Sequence, residues 1–349
     1  MARKILLIQL RQLGDILLTT PCFREIKRAW PDSEITFLSH PMGRLIADDN
    51  PYLYRHLTYD PKGGWRQDIK LIRELRAARY DLVLDFMYNP RSALYARITG
   101  SPRRLAFPSR RALFFNEIVP QGGRIEYIVQ EKFRYLQHLG IQAASPRLDL
   151  PWGEKHGGPL LQLLQDAPDF AQAPFRVAIS PTHRREVRQW PVERYAKIAD
   201  RLHREWGAAV IWLWGPGEEV FVRQAMSLCS QPMRLAPKTS LRELAALTAN
   251  CDLFIGNSNG PSHVAVAVDT PSLQLHGPTY AAAWCPLTPR HQAVQAHAST
   301  PEGRGPIAAM TEAEVWHALE NMQTLVRKTA ESRQQNGVTM SWSPLPFSK

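Results

Sequence analysis

Residues 4–21 read KILLIQLRQLGDILLTTP. The run KILLIQL (4–10) is apolar without alternation, which is the pattern of a strand covered on both faces of a parallel sheet. It breaks at Gly14-Asp15, and helical spacing follows at once in ILLTTPCFREIKRAW (16–30). The same alternation continues through EITFLS (34–39) and DLVLDF (81–86), with the helical stretch IKLIRELRAARY (69–80) between them. After the Pro- and Gly-rich junction PWGEKHGGP (151–159) it restarts, with FRVAISP (175–181), AAVIWLWG (208–215), CDLFIG (251–256) and PSLQLHG (271–277) as strands. Between these lie VERYAKIADRLHREW, EEVFVRQAMSL, LRELAALTANC and PSHVAVAV, all of helical character. Two successive halves, each opening on a strand, predict an α/β chain of two Rossmann-like domains facing one another across a cleft. The expected boundaries are 1–155 and 156–330, followed by a polar, loosely held tail over 331–349 in which Trp342 and Phe347 dock only locally.

A chain of 349 residues with 44% hydrophobic and 21% charged residues has the composition of a soluble globular protein large enough for two cores. No stretch reaches the roughly 18 apolar residues of a spanning helix, and MARK leads straight into a strand without a signal-peptide pattern, so a cytoplasmic location is expected. Cys22, Cys229, Cys251 and Cys285 are scattered, with no CxxC pair or neighbouring His, so no metal site is expected. The net charge of +11 points to a polyanionic partner: nucleic acid, an acidic membrane face or a phosphorylated substrate. No RNA-binding or zinc-finger signature supports the first of these.

Ligands of doubly wound sheets meet the C-terminal ends of the strands, and Asp15 sits at such a point. It reads equally as an N-cap and as a functional carboxylate, with Gly14 supplying a tight turn before it. GNSNG (256–260) matches the Gly-x-Ser-x-Gly nucleophile elbow. A hydrolase of that order needs a later acid and then a His. Asp269 closes the same helix, and Glu302 with His317 offers no expected geometry, so Ser258 is not read as a nucleophile. GNSNGPSHVAVAV fits better as a strand-to-helix turn that holds phosphate, with Ser258, Asn259 and Gly260 as short donors. His263, on the first turn, either reaches the same ligand or is a satisfied, partly buried side chain. ISPTHRREVRQWP (179–191) places Arg184, Arg185 and Arg188 in one loop, suited to a diphosphate or simply solvated. WGPGEEV (214–220) offers Glu218 and Glu219 as helix caps or as partners for ribose or sugar hydroxyls.

In combination, RQLGDILLTTP (11–21), NPRSALYARITGSPRRLAF (89–107), RQWP (188–191), WGPGEE (214–219) and TSLRELAALTANCDLFIGNSNGPSHVAVAVDTPSLQLHGPT (239–279) resemble the ADP-heptose lipopolysaccharide heptosyltransferases. These are inverting transferases of glycosyltransferase family 9 with the two-domain GT-B fold, and the likeness spans nearly the whole chain in order. It implies that Asp15 is the general base on the acceptor hydroxyl and that Arg188 neutralises the departing ADP. It places Thr182, His183 and Thr239 along the nucleotide, Glu219 at the ribose or a nearby hydroxyl, and Gly260 and His263 around the diphosphate. Ser258 stands where the family commonly has a carboxylate for the heptose, and Asn259 substitutes only in part, as an uncharged amide. Arg91, Arg103 and Arg104, in the basic segment 89–111, are implied contacts for an anionic, lipid-linked lipopolysaccharide core. The resemblance implies no metal or other cofactor, ADP-heptose as donor, closure of the cleft during catalysis, and peripheral attachment at the cytoplasmic face of the inner membrane. Alternative readings are a GT-B transferase using another nucleotide sugar and a non-catalytic relative that binds sugar nucleotides.

Overall fold

The computed structural model describes residues 3–297 and 304–343. Glu302 and Phe347 therefore lie outside the described residues. The chain divides into two compact units, one ending at Pro151 and the other running from Trp152 to Ser343.

In the first unit, β1 (Lys4–Gln9) leads into the short helix α1 (Leu13–Leu17) and then α2 (Thr20–Ala29). Next come β2 (Glu34–Ser39), β3 (Arg55–Thr58), α3 (Gly64–Ala77), β4 (Leu82–Asp85), α4 (Pro90–Ile98), β5 (Arg103–Ala106), β6 (Glu117–Ile118) and α5 (Ile128–His138). The six strands form one sheet in the order β3-β2-β1-β4-β5-β6, every pair parallel. β1 is bonded on both sides, Ile5 facing Ile35 and Leu82, which is why its residues are apolar without alternation. Leu6, Ile8, Leu38 and Val83 pack on one face against Leu71 and Leu75 of α3 and Tyr95 of α4. The order reverses between β1 and β4, and in such sheets the crevice beyond the strand ends at this point is where ligands bind. Asp15 follows β1 there.

The second unit carries β7 (Phe175–Ser180), α6 (Val192–Trp206), β8 (Ala208–Trp212), α7 (Glu219–Met226), β9 (Arg234–Leu235), α8 (Leu241–Ala249), β10 (Leu253–Asn257), α9 (Gly260–Ala267), β11 (Ser272–His276), β12 (His291–Gln295) and α10 (Glu312–Asn336). Its sheet runs β12-β11-β10-β7-β8-β9, again all parallel, and reverses between β7 and β10. Local chemistry sets the ends of its helices. Ser240 and Thr311 each accept the N3 main-chain N–H while Glu243 and Glu314 reach back, and Gly207 closes α6 at φ 65, where a side chain would be strained. Val177, Ile179, Val210, Leu253 and Ile255 make a core with α6 and α10.

Residues 331–343 differ from the loose tail expected. α10 continues to Asn336, Thr339 donates its main-chain N–H to Asn250 at 2.8 Å, and that of Trp342 reaches the Trp152 carbonyl at 3.1 Å. No helix among the described residues is long and apolar enough to cross a membrane.

Candidate functional site

In the first unit, α1 begins four residues beyond β1, and Gly14 lies inside that helix rather than in a turn before it. Asp15 is its third residue, not its N-cap. The carboxylate accepts the Gln12 main-chain N–H at 2.9 Å, and the side chain is half-buried. Its main-chain oxygen accepts the Thr19 hydroxyl at 2.8 Å and the Lys132 ammonium, delivered from α5, at 3.0 Å. Beside β1, Asp85 ends β4 with no exposure, its Oδ1 accepting the N–H groups of Met87 and Tyr88 at 2.9 and 3.0 Å. Burial pushes its carboxyl up to about 6.

The three arginines expected at the acceptor separate. Arg91 is on the first turn of α4, at the same sheet edge as Asp15. It pairs with Asp68 at 3.4 Å and lies 4.8 Å above the Tyr59 ring. Arg103 and Arg104 open β5, so they stand at the opposite edge of a parallel sheet. There Arg103 forks onto Glu117 at 2.6 and 2.8 Å, and Arg104 donates to the carbonyls of Phe114 and Ser101. The structure does not bring these two to Asp15.

In the second unit, the loops after β7, β8 and β10 converge. Asn257, fully buried at the end of β10, takes the Trp190 N–H at 2.9 Å and donates to the Pro181 carbonyl at 2.8 Å, which fixes the basic loop after β7. Asn259 caps α9 through Ser262 N–H at 3.2 Å and donates to the carbonyl of Thr182 at 2.9 Å. Both ends of its amide are thus engaged, the nitrogen also reaching Ser180 Oγ at 3.2 Å. Ser258 gives its carbonyl to the His183 ring at 3.1 Å, while its hydroxyl makes no hydrogen bond among the described residues. A Cβ at Gly260 would meet nothing within 4 Å, so there is open space against the first turn of α9.

Arg188 ends a short 3-10 turn in that loop and has no carboxylate partner among the described residues. Burial, and then the charges of Arg185 and Arg184, push its guanidinium below its ordinary value, a strain that an anion relieves. Burial also lowers His183. His263, on α9, is buried with its ring 6.2 Å from that of Trp284. At the end of β11, His276 is held neutral, down to about 3, by burial and then by His263 and Arg188.

Glu218, not Glu219, is turned into this edge. Its Oε2 accepts the Thr182 hydroxyl and the Gly215 N–H, both at 2.8 Å, whereas Glu219 pairs with Arg223 on the surface of α7. Thr239 is half-buried just before the Ser240 cap, beyond β9, two strands away from β7.

Sequence reasoning missed Lys132, Asp85, Asn257 and His276. Asp85 and His276 carried one available signal, a polar residue at the end of an otherwise apolar strand. Lys132 carried none. Among the described residues no three His, Cys, Asp or Glu side chains gather where they could hold a metal ion. What the second unit offers is a positive loop, a helix N-terminus and a neutral imidazole, which suits an anionic group of diphosphate size.

The family model described as glycosyltransferase family 9 (heptosyltransferase) matches residues 69–305. The chain is 29% identical over 294 residues to lipopolysaccharide heptosyltransferase 3 of Escherichia coli K12, covering 80% of this chain and 84% of that protein. It is 25% identical over 293 residues to lipopolysaccharide heptosyltransferase 1 of Pseudomonas aeruginosa, covering 79% of each. Among solved structures, a family 9 glycosyl transferase from Veillonella parvula superposes with a TM-score of 0.78 at 20% identity, over 93% of this chain and 97% of that one. The Escherichia coli ADP-heptose lps heptosyltransferase II gives 0.71 at 22%, over 93% and 99%. The two Rossmann-like α/β units have the fold of these structures.

Proposed function

The chain belongs to glycosyltransferase family 9 (heptosyltransferase), and on that premise we propose that it moves a heptose from ADP-heptose to the lipopolysaccharide inner core with inversion at the anomeric carbon. In this reading the acceptor oxygen forms the new bond to the anomeric carbon while the bond from that carbon to the diphosphate oxygen breaks. The electron pair leaves on ADP, and the acceptor hydroxyl gives its proton to the Asp15 carboxylate. Arg188 and the open first turn of α9 meet the charge that gathers on the leaving diphosphate, so no bound metal is required. His183, His263 and Ser258 line the donor, with Thr182 held in place by Glu218. Arg91 is the acceptor contact retained from the basic segment. The observation that carries the proposal is Arg188, half-buried and without a carboxylate partner among the described residues, in a loop that Trp190 and His183 tie to Asn257 and Ser258 just before α9, at the sheet's switch point. A lipid-linked anionic acceptor accords with the net charge of +11 and with peripheral attachment at the cytoplasmic face of the inner membrane.

A second reading, a different nucleotide sugar, draws on Ser258. Its hydroxyl, unbonded among the described residues, and the uncharged amide of Asn259 leave that position without the carboxylate the family commonly presents to heptose. Calorimetric titration with ADP, UDP and GDP, followed by ADP-heptose, separates the two. Selective binding of ADP, tightened by the heptose, supports the first; preference for UDP or GDP supports the second.

A further inference from the structure

We infer that Lys132 is a positioning residue for Asp15, its buried ammonium pinning the break between α1 and α2 and thereby fixing where the carboxylate stands. The inference rests on the reading of Asp15 as general base and deepens it.

The need for a pin follows from the backbone. In a continuous helix the Thr19 N–H would bond to the Asp15 carbonyl. Here the Thr19 N–H turns to Ile16 at 3.0 Å and α2 starts afresh, which orphans the Asp15 oxygen. The Thr19 hydroxyl and the Lys132 ammonium take its place. Lys132 also donates to Thr19 Oγ1 at 2.6 Å and to Gln9 Oε1 at 3.4 Å, so three hydrogens meet three acceptors, drawn from β1, α1 and the residue before α2. The Phe86 ring lies 5.5 Å from the Nζ. One side chain thus ties the end of β1 to the helical break that carries Asp15.

Stability alone does not account for an ammonium here. Burial drives Lys132 down to about 8 from the usual lysine value, a standing cost that an apolar side chain would avoid. The charged groups facing it are Asp15 from α1 and Glu131 on its own helix, which both favour the protonated form. Cys22 faces it from α2, and burial pushes that thiol up to about 12, so it stays neutral.

Two consequences run in opposite directions. As pH rises through about 8 the ammonium becomes an amine with two hydrogens for three acceptors, the pin loosens, and transfer slows. Over the same window the contribution of Lys132 itself to stability rises, while the thiols of Cys22, Cys229 and Cys251, raised by burial to about 12 from 9.0, pull the other way. At Lys132 the unfolded chain, with lysine at its ordinary value, binds more protons than the folded one between about 8 and 10.5. A lysine with a purely structural role would show the change in stability without the loss of rate.

The test measures transfer from ADP-heptose to heptose-free lipopolysaccharide, and thermal unfolding, from about pH 7 to pH 10 on the full chain, Lys132→Met, Thr19→Ala and Asp15→Asn. We expect the wild-type rate to fall above about pH 8 while its Tm gains on that of Lys132→Met, which keeps the raised thiols and lacks the titrating lysine. Lys132→Met should lose about tenfold or more in kcat at neutral pH with unchanged affinity for ADP-heptose, and should lack the alkaline fall. Thr19→Ala, which removes one acceptor without placing a new group in the core, should show a smaller loss and an alkaline fall at lower pH; it serves if Lys132→Met does not fold. A wild-type rate and pH profile in Lys132→Met, or in Thr19→Ala where that variant stands in, overturns the role given to Lys132. Near-normal transfer by Asp15→Asn overturns the general-base reading instead.

Discussion

The Thr182 hydroxyl donates to Glu218 at 2.8 Å, and the same carboxylate oxygen accepts the Gly215 N–H, so one side chain joins the loops after β7 and β8. Glu219, next in sequence, holds only Arg223 on the surface. Glu218→Ala should therefore weaken ADP binding by roughly 10–100-fold, since it frees Thr182 and leaves two donors unpaired. Glu219→Ala should change affinity by less than about twofold. Calorimetry on both variants checks the contrast, and equal effects would refute it.

Arg188 has no carboxylate partner to lose among the described residues. Arg188→Ala should leave Tm within about 1–2 °C of the wild type, while ADP affinity drops by about 10–100-fold, the range of a charge-assisted hydrogen bond. An unchanged ADP affinity would mean that the loop faces solvent.

Among the arginines of the basic segment, position in the sheet decides. Arg91→Ala should raise the KM for lipopolysaccharide about three- to tenfold, because Arg91 lies at the Asp15 edge. Arg103→Ala should leave that KM alone and cost about 1 kcal/mol or less of stability through the lost Glu117 fork. Steady-state kinetics with chemical denaturation distinguishes the two outcomes.

Burial raises the Asp85 carboxyl to about 6, so between the ordinary carboxylate value and 6 the folded protein holds the extra proton. Stability from this group is full at low pH and declines as pH rises through about 6. Asp85→Asn keeps an oxygen for the Met87 and Tyr88 N–H groups without the buried charge. It should raise Tm by about 2–5 °C at pH 7, a gain that vanishes near about pH 4. Asp149, also raised to about 6, leaves the variant some acid dependence of its own. Melting curves across that range test the sign.

Strand and helix order were legible because parallel strands buried on both faces leave unbroken apolar runs, as in KILLIQL and AAVIWLWG. The loops that meet at the strand ends were legible too, since Gly, Asn and Arg cluster there. Which of two adjacent acids turns inward was not: Glu218 and Glu219 differ by about 100° around the start of α7, and only the backbone at Gly217, with φ 84, settles it. Arg103 and Arg104 misled because their charge suggested a surface for anions, whereas their place at the start of β5 commits them to the opposite edge. Lys132 was silent because a lysine on an amphipathic helix ordinarily faces water. The polar residues 331–336 were read as loose, but α10 continues through them after packing Val326 and Ala330 on the core.

Inverting transfer with Asp15 as base is tested by following transfer from ADP-heptose to heptose-free lipopolysaccharide by the purified full chain and by Asp15→Asn, with the anomeric configuration of the product read by NMR. The expected result is a heptosylated product inverted relative to the donor, and an Asp15→Asn variant that binds ADP-heptose normally while losing about 10²–10⁴-fold in turnover. Retention of configuration, no heptose transfer by the wild-type chain, or near-normal turnover by the variant would contradict it.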